Sequence, residues 1–223
     1  SLKKTIAKIE RIVRKHYPDF KPTFAGEKLK EEHNIVISKE KLRGLMTDWG
    51  LWKPRPRRIN KEYRSWRARR ERYGELEQFD GSYHNWFENR APLCCLLASI
   101  DDATGRPTKL QFTDWEGVKP AFIFWKEYLE SRGKPVAIYL DRHSTYKQNP
   151  KKNVLDNPDA LTQFERAMKE LDISVIHAYS PQAKGRVERL FGTLQDRLVK
   201  ELRLQGINAI SEANRFLEEV YLP

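Results

Sequence analysis

With 223 residues, 39% of them hydrophobic, the chain is long enough for one domain of ordinary size and a small companion, which excludes a disordered tail. Its 42 Lys and Arg against 31 Asp and Glu leave a formal net charge of +11, a field that concentrates polyanions, so nucleic acid or an anionic surface is the first partner to consider. No apolar run approaches the roughly 20 residues of a membrane span, and two adjacent cysteines, Cys94 and Cys95, exclude a disulfide framework and a four-ligand zinc site. Both read as buried thiols of a soluble protein in a reducing, cytoplasmic compartment. The chain opens on Ser and closes on Pro223 directly after a helical pattern, so its ends are expected to be cuts in a longer polypeptide.

Residues 1–52 are rich in helix formers, with apolar residues at helical spacing: Ile6, Ile9 and Val13, then Phe24 and Leu29, then Leu42, Leu45, Met46 and Trp49. This predicts three helices, with Ser38 as N-cap of the third, Gly50 as its stop signal, and Asn34 in the left-handed conformation of the preceding tight connection. A short turn before the third helix suits a helix-turn-helix. Its apolar stripe then faces inward, leaving Lys39, Lys41, Arg43 and Thr47 free to enter a major groove. A three-helix bundle serving only as an interaction module is the alternative.

The next stretch, a linker over 53–73, is basic: from 53 to 72 ten basic residues stand against Glu62 and Glu71, a local net charge of +8. Pro54 and Pro56 keep its start extended, whereas 61–72 has neither Pro nor Gly and can be helical. Arginine forks suit phosphate oxygens, so Arg55, Arg57, Arg58 and Arg64 are read as backbone contacts to DNA. The plainer reading is a solvated spacer.

From Gly74 to the end the pattern is that of an α/β domain. Strands are predicted at 75–79, 93–100 and 108–112, the last two joined as a hairpin by the Asp, Thr and Gly of 101–106. A helix at 118–131, a strand at 136–140, a helix at 158–171, a strand at 173–176 and a long helix at 185–204 follow. The order βββαβαβα implies a mixed sheet with helices packed on it. Trp86, Trp115 and Trp125 read as core or interface residues, and Asp101 and Asp102 as turn residues.

Three carboxylates stand out in that topology. Asp80 follows the first strand, Asp141 ends the fourth, and Glu188 sits at the edge of the stripe Val187, Leu190, Phe191, Leu194 and Leu198, where it can lean over the sheet. The segments Phe79-Asp80-Gly81-Ser82, Leu140-Asp141-Arg142-His143-Ser144 and Ser180-Pro181-Gln182-Ala183-Lys184-Gly185-Arg186-Val187-Glu188-Arg189 resemble the integrase-core transposases. These are the retroviral-integrase superfamily, with an RNase H-like fold and an Asp, Asp, Glu triad. The upstream segments look like those of bacterial insertion-sequence transposases of that superfamily.

The resemblance implies that Asp80, Asp141 and Glu188 are catalytic acids binding Mg²⁺ or Mn²⁺, two ions per site. It implies cleavage at transposon ends and transfer of the freed 3′ hydroxyl into target DNA, by a dimer or larger assembly on DNA in a bacterial, nucleoid-associated setting. Gln182 and Lys184, in the loop before the Glu188 helix, are placed to meet DNA, and His143 can position a phosphate. The chemistry independently favours this donor set: hard divalent ions choose carboxylate oxygens, and phosphoryl transfer between oxygens needs no protein nucleophile. No Walker-type loop appears.

The 46 residues between Asp141 and Glu188 exceed the retroviral spacing, which calls for an insertion around 146–159. The zinc-binding module that opens retroviral integrases and the family's small β-rich C-terminal domain are absent from this stretch of sequence. A catalytically silent DNA-binding regulator and an RNase H-like nuclease without joining activity are the alternatives.

Overall fold

A computed structural model describes residues 2–54, 68–141, 158–178 and 185–222. The chain divides into two compact units, Ser1–Tyr63 and Arg64–Pro223.

The first unit holds helices α1 (Leu2–His16), α2 (Pro22–His33) and α3 (Lys39–Asp48). Each boundary has a local cause. Pro22 starts α2 where a missing N–H costs nothing, and Asn34 ends it at φ 54°, its N–H returning to the Leu29 carbonyl. Ser38 caps α3, its hydroxyl accepting from Lys41 N at 3.3 Å, and Gly50 follows the helix at φ 71°. The core gathers Ile9, Val13, Phe24, Leu29, Leu42 and Met46, as the spacing predicts. It also takes Tyr17 and Phe20 from the α1–α2 connection, Phe20 stacking on Phe24 at 4.8 Å. Helical periodicity carries no signal for residues in a turn.

The second unit is built on a five-stranded sheet in the order β3-β2-β1-β4-β5. Its strands are β1 (Glu77–His84), β2 (Cys94–Asp101), β3 (Pro107–Thr113), β4 (Ala137–Asp141) and β5 (Ser174–Ala178). The first three are antiparallel neighbours, and β4 and β5 add in parallel through α4 (Val118–Arg132) and α5 (Pro158–Glu170). This is the mixed sheet that the pattern predicts, as the resemblance to RNase H-like cores also implies.

Side-chain alternation sends β2 residues Cys94, Leu96, Ala98 and Ile100 to one face, beneath α6 (Gly185–Leu204) and α7 (Ile210–Phe216). Cys95 and Leu97 go to the other, with Phe124, Trp125 and Tyr128 of α4 and Phe164 and Met168 of α5. Both cysteines are free and buried; burial pushes the Cys94 thiol up to about 12 and raises that of Cys95 as well. Trp86 and Trp125 are core residues, whereas Trp115 is 44% exposed.

Two features differ from expectation. Strand β1 begins at Glu77 and runs on to His84, because β2 pairs with all eight of its residues, from Glu77 opposite Asp101 to His84 opposite Cys94. Asp80 is therefore inside the strand rather than after it; Gly81 and Ser82 look like a break in sequence but are taken up by the ladder. Helix α7, continued by a π-helical turn at Leu217–Tyr221, was not foreseen. It covers the β3 edge, where Asn214 accepts from Phe112 N at 2.7 Å and donates to Phe112 O at 3.0 Å.

Candidate active site

Strand register brings two of the predicted acids level. In the parallel β1–β4 pair Gln78 is opposite Tyr139, and Asp80 and Asp141 each lie two residues further along. Parallel neighbours advance together at a spacing of about 4.8 Å, so these positions stand side by side with the same parity. Asp80 faces α6, since it is opposite Ala98, which lies in the core under that helix. Asp80 is half-buried. Asp141 closes β4, its backbone paired opposite Ala178 of β5; its side chain lies outside the described residues.

Glu188 is the exposed residue of the first turn of α6. That helix runs along β1 and touches it at both ends of the acidic position. Val187 N donates to Gln78 Oε1 at 3.4 Å, and Gln195 Nε2 donates to Ser82 Oγ at 3.3 Å. Gln78, Asp80 and Ser82 are alternate residues of one face, so Asp80 lies between the two contacts. Glu188 is two turns before Gln195 and falls on the same line of the helix, the edge turned to β1.

The donor set fits a hard divalent cation. All three side chains are carboxylates, from two neighbouring strands and one helix, and such ions take oxygen ligands while keeping waters and substrate oxygens. Among the described residues no group of three His, Cys, Asp or Glu side chains stands together as a metal site, a comparison that does not reach the Asp141 side chain.

Sequence reasoning missed what holds this arrangement. Asp101 does serve the hairpin turn, accepting from Thr104 N and Oγ1, both at 2.7 Å. Asp102 does not. It is fully buried, and its carboxylate accepts from Gln78 Nε2 at 2.8 Å, Arg70 N at 2.8 Å and Arg186 Nη1 at 2.6 Å. Neighbouring aspartates after a strand look alike in sequence, and the separation of their roles depends on residues as distant as Arg186. The one local hint is a lone arginine in the first turn of an amphipathic helix.

A protein named "Putative transposase y4bF", from Sinorhizobium fredii, is 48% identical over 206 residues, 92% of this chain and 44% of that protein. The transposase for insertion sequence IS1202 of Streptococcus pneumoniae is 37% identical over 153 residues, 68% of this chain and 32% of that protein. Among solved structures, the simian T-cell lymphotropic virus intasome in complex with PP2A regulatory subunit B56 gamma superposes with a TM-score of 0.52 at 18% identity, covering 87% of this chain and 65% of that one. Over most of its length this chain is similar to insertion-sequence transposases, and it shares its fold with that intasome. It spans less than half the length of these two transposases. No protein-family model matches it. The viral structure, at its low identity, speaks for the fold alone.

Of the residues that charge and position assign to DNA in this chain, Arg55, Arg57, Arg58, Arg64, Gln182 and Lys184 lie outside the described residues, as does His143. On α3, Lys39, Lys41 and Thr47 are exposed. Arg43 is not free as expected: it pairs with Glu40 at 2.6 Å and lies over the Trp52 ring at 5.7 Å. The Thr47 hydroxyl is returned to the Arg43 carbonyl at 2.8 Å. A second cationic surface was overlooked, the exposed stripe Lys4, Lys8, Arg11 and Lys15 along α1, whose spacing follows one line of the helix. Its spacing is legible in the sequence, on the polar face behind the apolar stripe.

No helix among the described residues is long and apolar enough to cross a membrane.

Proposed function

We propose that this chain is the end-recognising and catalytic part of a DNA transposase, with Asp80, Asp141 and Glu188 as ligands of Mg²⁺ or Mn²⁺. The supporting observation is the parallel register of β1 and β4, in which Gln78 is opposite Tyr139, two residues before Asp80 and Asp141 respectively. Bound there, two divalent ions would activate the attacking oxygen and stabilise the leaving one. The protein supplies the frame: two adjacent strand positions and a helix edge, tied together by Gln78 and Gln195. In the proposed reaction a water oxygen bonds to phosphorus at the element end and the P–O bond breaks to leave a 3′ hydroxyl. That hydroxyl attacks a target phosphodiester, whose own 3′ oxygen leaves with the proton balance completed by solvent. No energy source is needed, since one phosphodiester replaces another. Binding of element ends is assigned to the first unit through Lys39, Lys41 and α3, with phosphate contacts from Arg55, Arg57, Arg58 and Arg64 and from Gln182 and Lys184. Two ends must meet, so the working form is proposed as a dimer or larger assembly on DNA.

Labelled element ends supplied with supercoiled target and Mg²⁺ test this reading, using the full-length protein alongside the chain. Joined product is expected, and Asp80→Asn, Asp141→Asn and Glu188→Gln are each expected to abolish it while leaving folding and end binding nearly intact, because an amide is a poor ligand for a hard dication. Nicking without joining would identify a nuclease, and DNA binding with no chemistry would identify a regulator. Near-normal cleavage by any one variant would remove that residue from the site.

A further inference from the structure

We propose that Gln78, Asp102 and Arg186 are positioning residues for Glu188, forming a buried polar latch that sets the rotation and height of the α6 N-terminus over β1. The inference rests on the proposed metal-binding role of Glu188. Its parts lie symmetrically about the site: Gln78 is two residues before Asp80 on β1, and Arg186 two before Glu188 on α6. Between them stands Asp102, immediately after β2 and fully buried, with the Arg186 side chain only 13% exposed.

The connections form a closed route. Arg186 Nη1 donates to Asp102 Oδ1 at 2.6 Å, Gln78 Nε2 donates to the same oxygen at 2.8 Å, and Gln78 Oε1 accepts from Val187 N at 3.4 Å. Val187 N is one of the first N–H groups of a helix, which have no carbonyl of their own turn to bond. Gln78, itself fully buried, thus reads both the backbone of α6 and the carboxylate that grips the neighbouring arginine. The Asp102 backbone is in turn held by its N–H to Leu76 O at 2.9 Å, immediately before β1.

The physical case turns on what apolar packing leaves undetermined. Val187, Phe191, Leu194 and Leu198 hold α6 against the sheet, but hydrophobic attraction has no preferred direction. A helix turns 100° per residue, so a modest rotation would carry the edge with Glu188 away from β1 at little cost in buried area. Hydrogen bonds weaken steeply off their axis, and the latch supplies two of them to the first turn of α6, braced by the third between Gln78 and Asp102. A purely stabilising role explains the arrangement poorly. Removing a carboxylate and a guanidinium from water opposes much of their attraction, and apolar replacements of similar volume are often no less stable; geometric registry is the better-attested use of such pairs.

The test uses the whole chain and Mn²⁺ as probe, followed by electron paramagnetic resonance titration of bound ion, with thermal melting measured on the same samples. Arg186→Met should weaken Mn²⁺ binding about tenfold, as loss of outer supports of metal ligands does, with lowered melting because the buried Asp102 carboxylate loses its cation, and Arg186→Lys should restore part of both. Gln78→Met, which removes the bridge but keeps the ion pair, should weaken binding in the same direction, and it carries the test should Arg186→Met not fold. Glu188→Gln, run in parallel, separates the two levels. If Glu188→Gln loses Mn²⁺ while Arg186→Met and Gln78→Met bind it as the unsubstituted chain does, the latch is overturned and the metal site stands. If Glu188→Gln binds Mn²⁺ normally, the metal-site reading and the latch fall together.

Discussion

Glu77 and Asp80 lie three residues apart on β1 and face opposite sides of the sheet. Glu77 is fully buried on the α4 side, where Thr108 Oγ1 donates to it at 2.6 Å. Burial, opposed by the hydroxyls of Thr108 and Tyr128, raises its pKa from an ordinary 4.5 to about 7. Below about pH 4.5 both folded and unfolded chains hold this proton, and it leaves stability unchanged. Between 4.5 and 7 the unfolded chain releases it while the folded one keeps it, so stability falls by about 1.4 kcal/mol per pH unit, and above 7 the deficit is constant, on the order of 3 kcal/mol. Glu77→Gln should remove that slope, so urea midpoints of variant and unsubstituted chain should diverge from weakly acid to weakly basic pH, the variant becoming the more stable. Parallel midpoints across that range would show that Glu77 titrates as an exposed carboxylate does. Asp102 makes the contrast at this scale: its position beside the turn was legible, but its function as a buried acceptor was not, because its partners Arg70, Gln78 and Arg186 come from three separate stretches of chain.

At the scale of elements, periodicity and caps were enough to find the helices α1 to α6, though not α7. The α6 limits, Gly185 and Leu204, agree with the predicted ones, since the apolar stripe runs from end to end of the helix. Leu198 is fully buried on that stripe, and Leu198→Ala should cost about 2–5 kcal/mol of stability through lost burial and the cavity left behind. A loss under about 1 kcal/mol in denaturant melts would mean that α6 is loosely seated. Ser38→Ala should cost about 1 kcal/mol by leaving the α3 first turn uncapped, whereas Ser38→Asp should hold stability, and equal melting of all three chains would contradict the cap. Strand limits were harder. The β1 segment contains Gly81 and Ser82, weak strand residues by propensity, and becomes a strand of eight residues because β2 offers a partner to each.

The whole molecule carries +11, and the sequence concentrates +8 of charge in residues 53–72. Each phosphate that such cations neutralise releases a counterion, whereas base-edge contacts discriminate sequences, so the two kinds of contact separate in a salt titration. Replacing Arg55, Arg57, Arg58 and Arg64 together with Gln should weaken binding to every duplex and flatten the salt dependence. Replacing Lys39, Lys41 and Arg43 should erode the preference for element ends over random DNA, by about 1 to 3 kcal/mol per lost base contact. Filter binding at several salt concentrations separates the effects; an unchanged slope in the first set would leave the basic run as a spacer. Arg43, already held by Glu40 and Trp52, should contribute least. Composition, charge, the order of strands and helices and the candidate acids were all determined by the sequence alone, because propensity, capping and periodicity act over a few neighbouring residues. Only the tertiary structure decided that Asp80 lies within β1 and level with Asp141, that Asp102 faces Arg186, and that α7 closes the β3 edge. Those facts depend on strand register and on contacts between distant segments, where a shift of one residue would send every side chain to the opposite face.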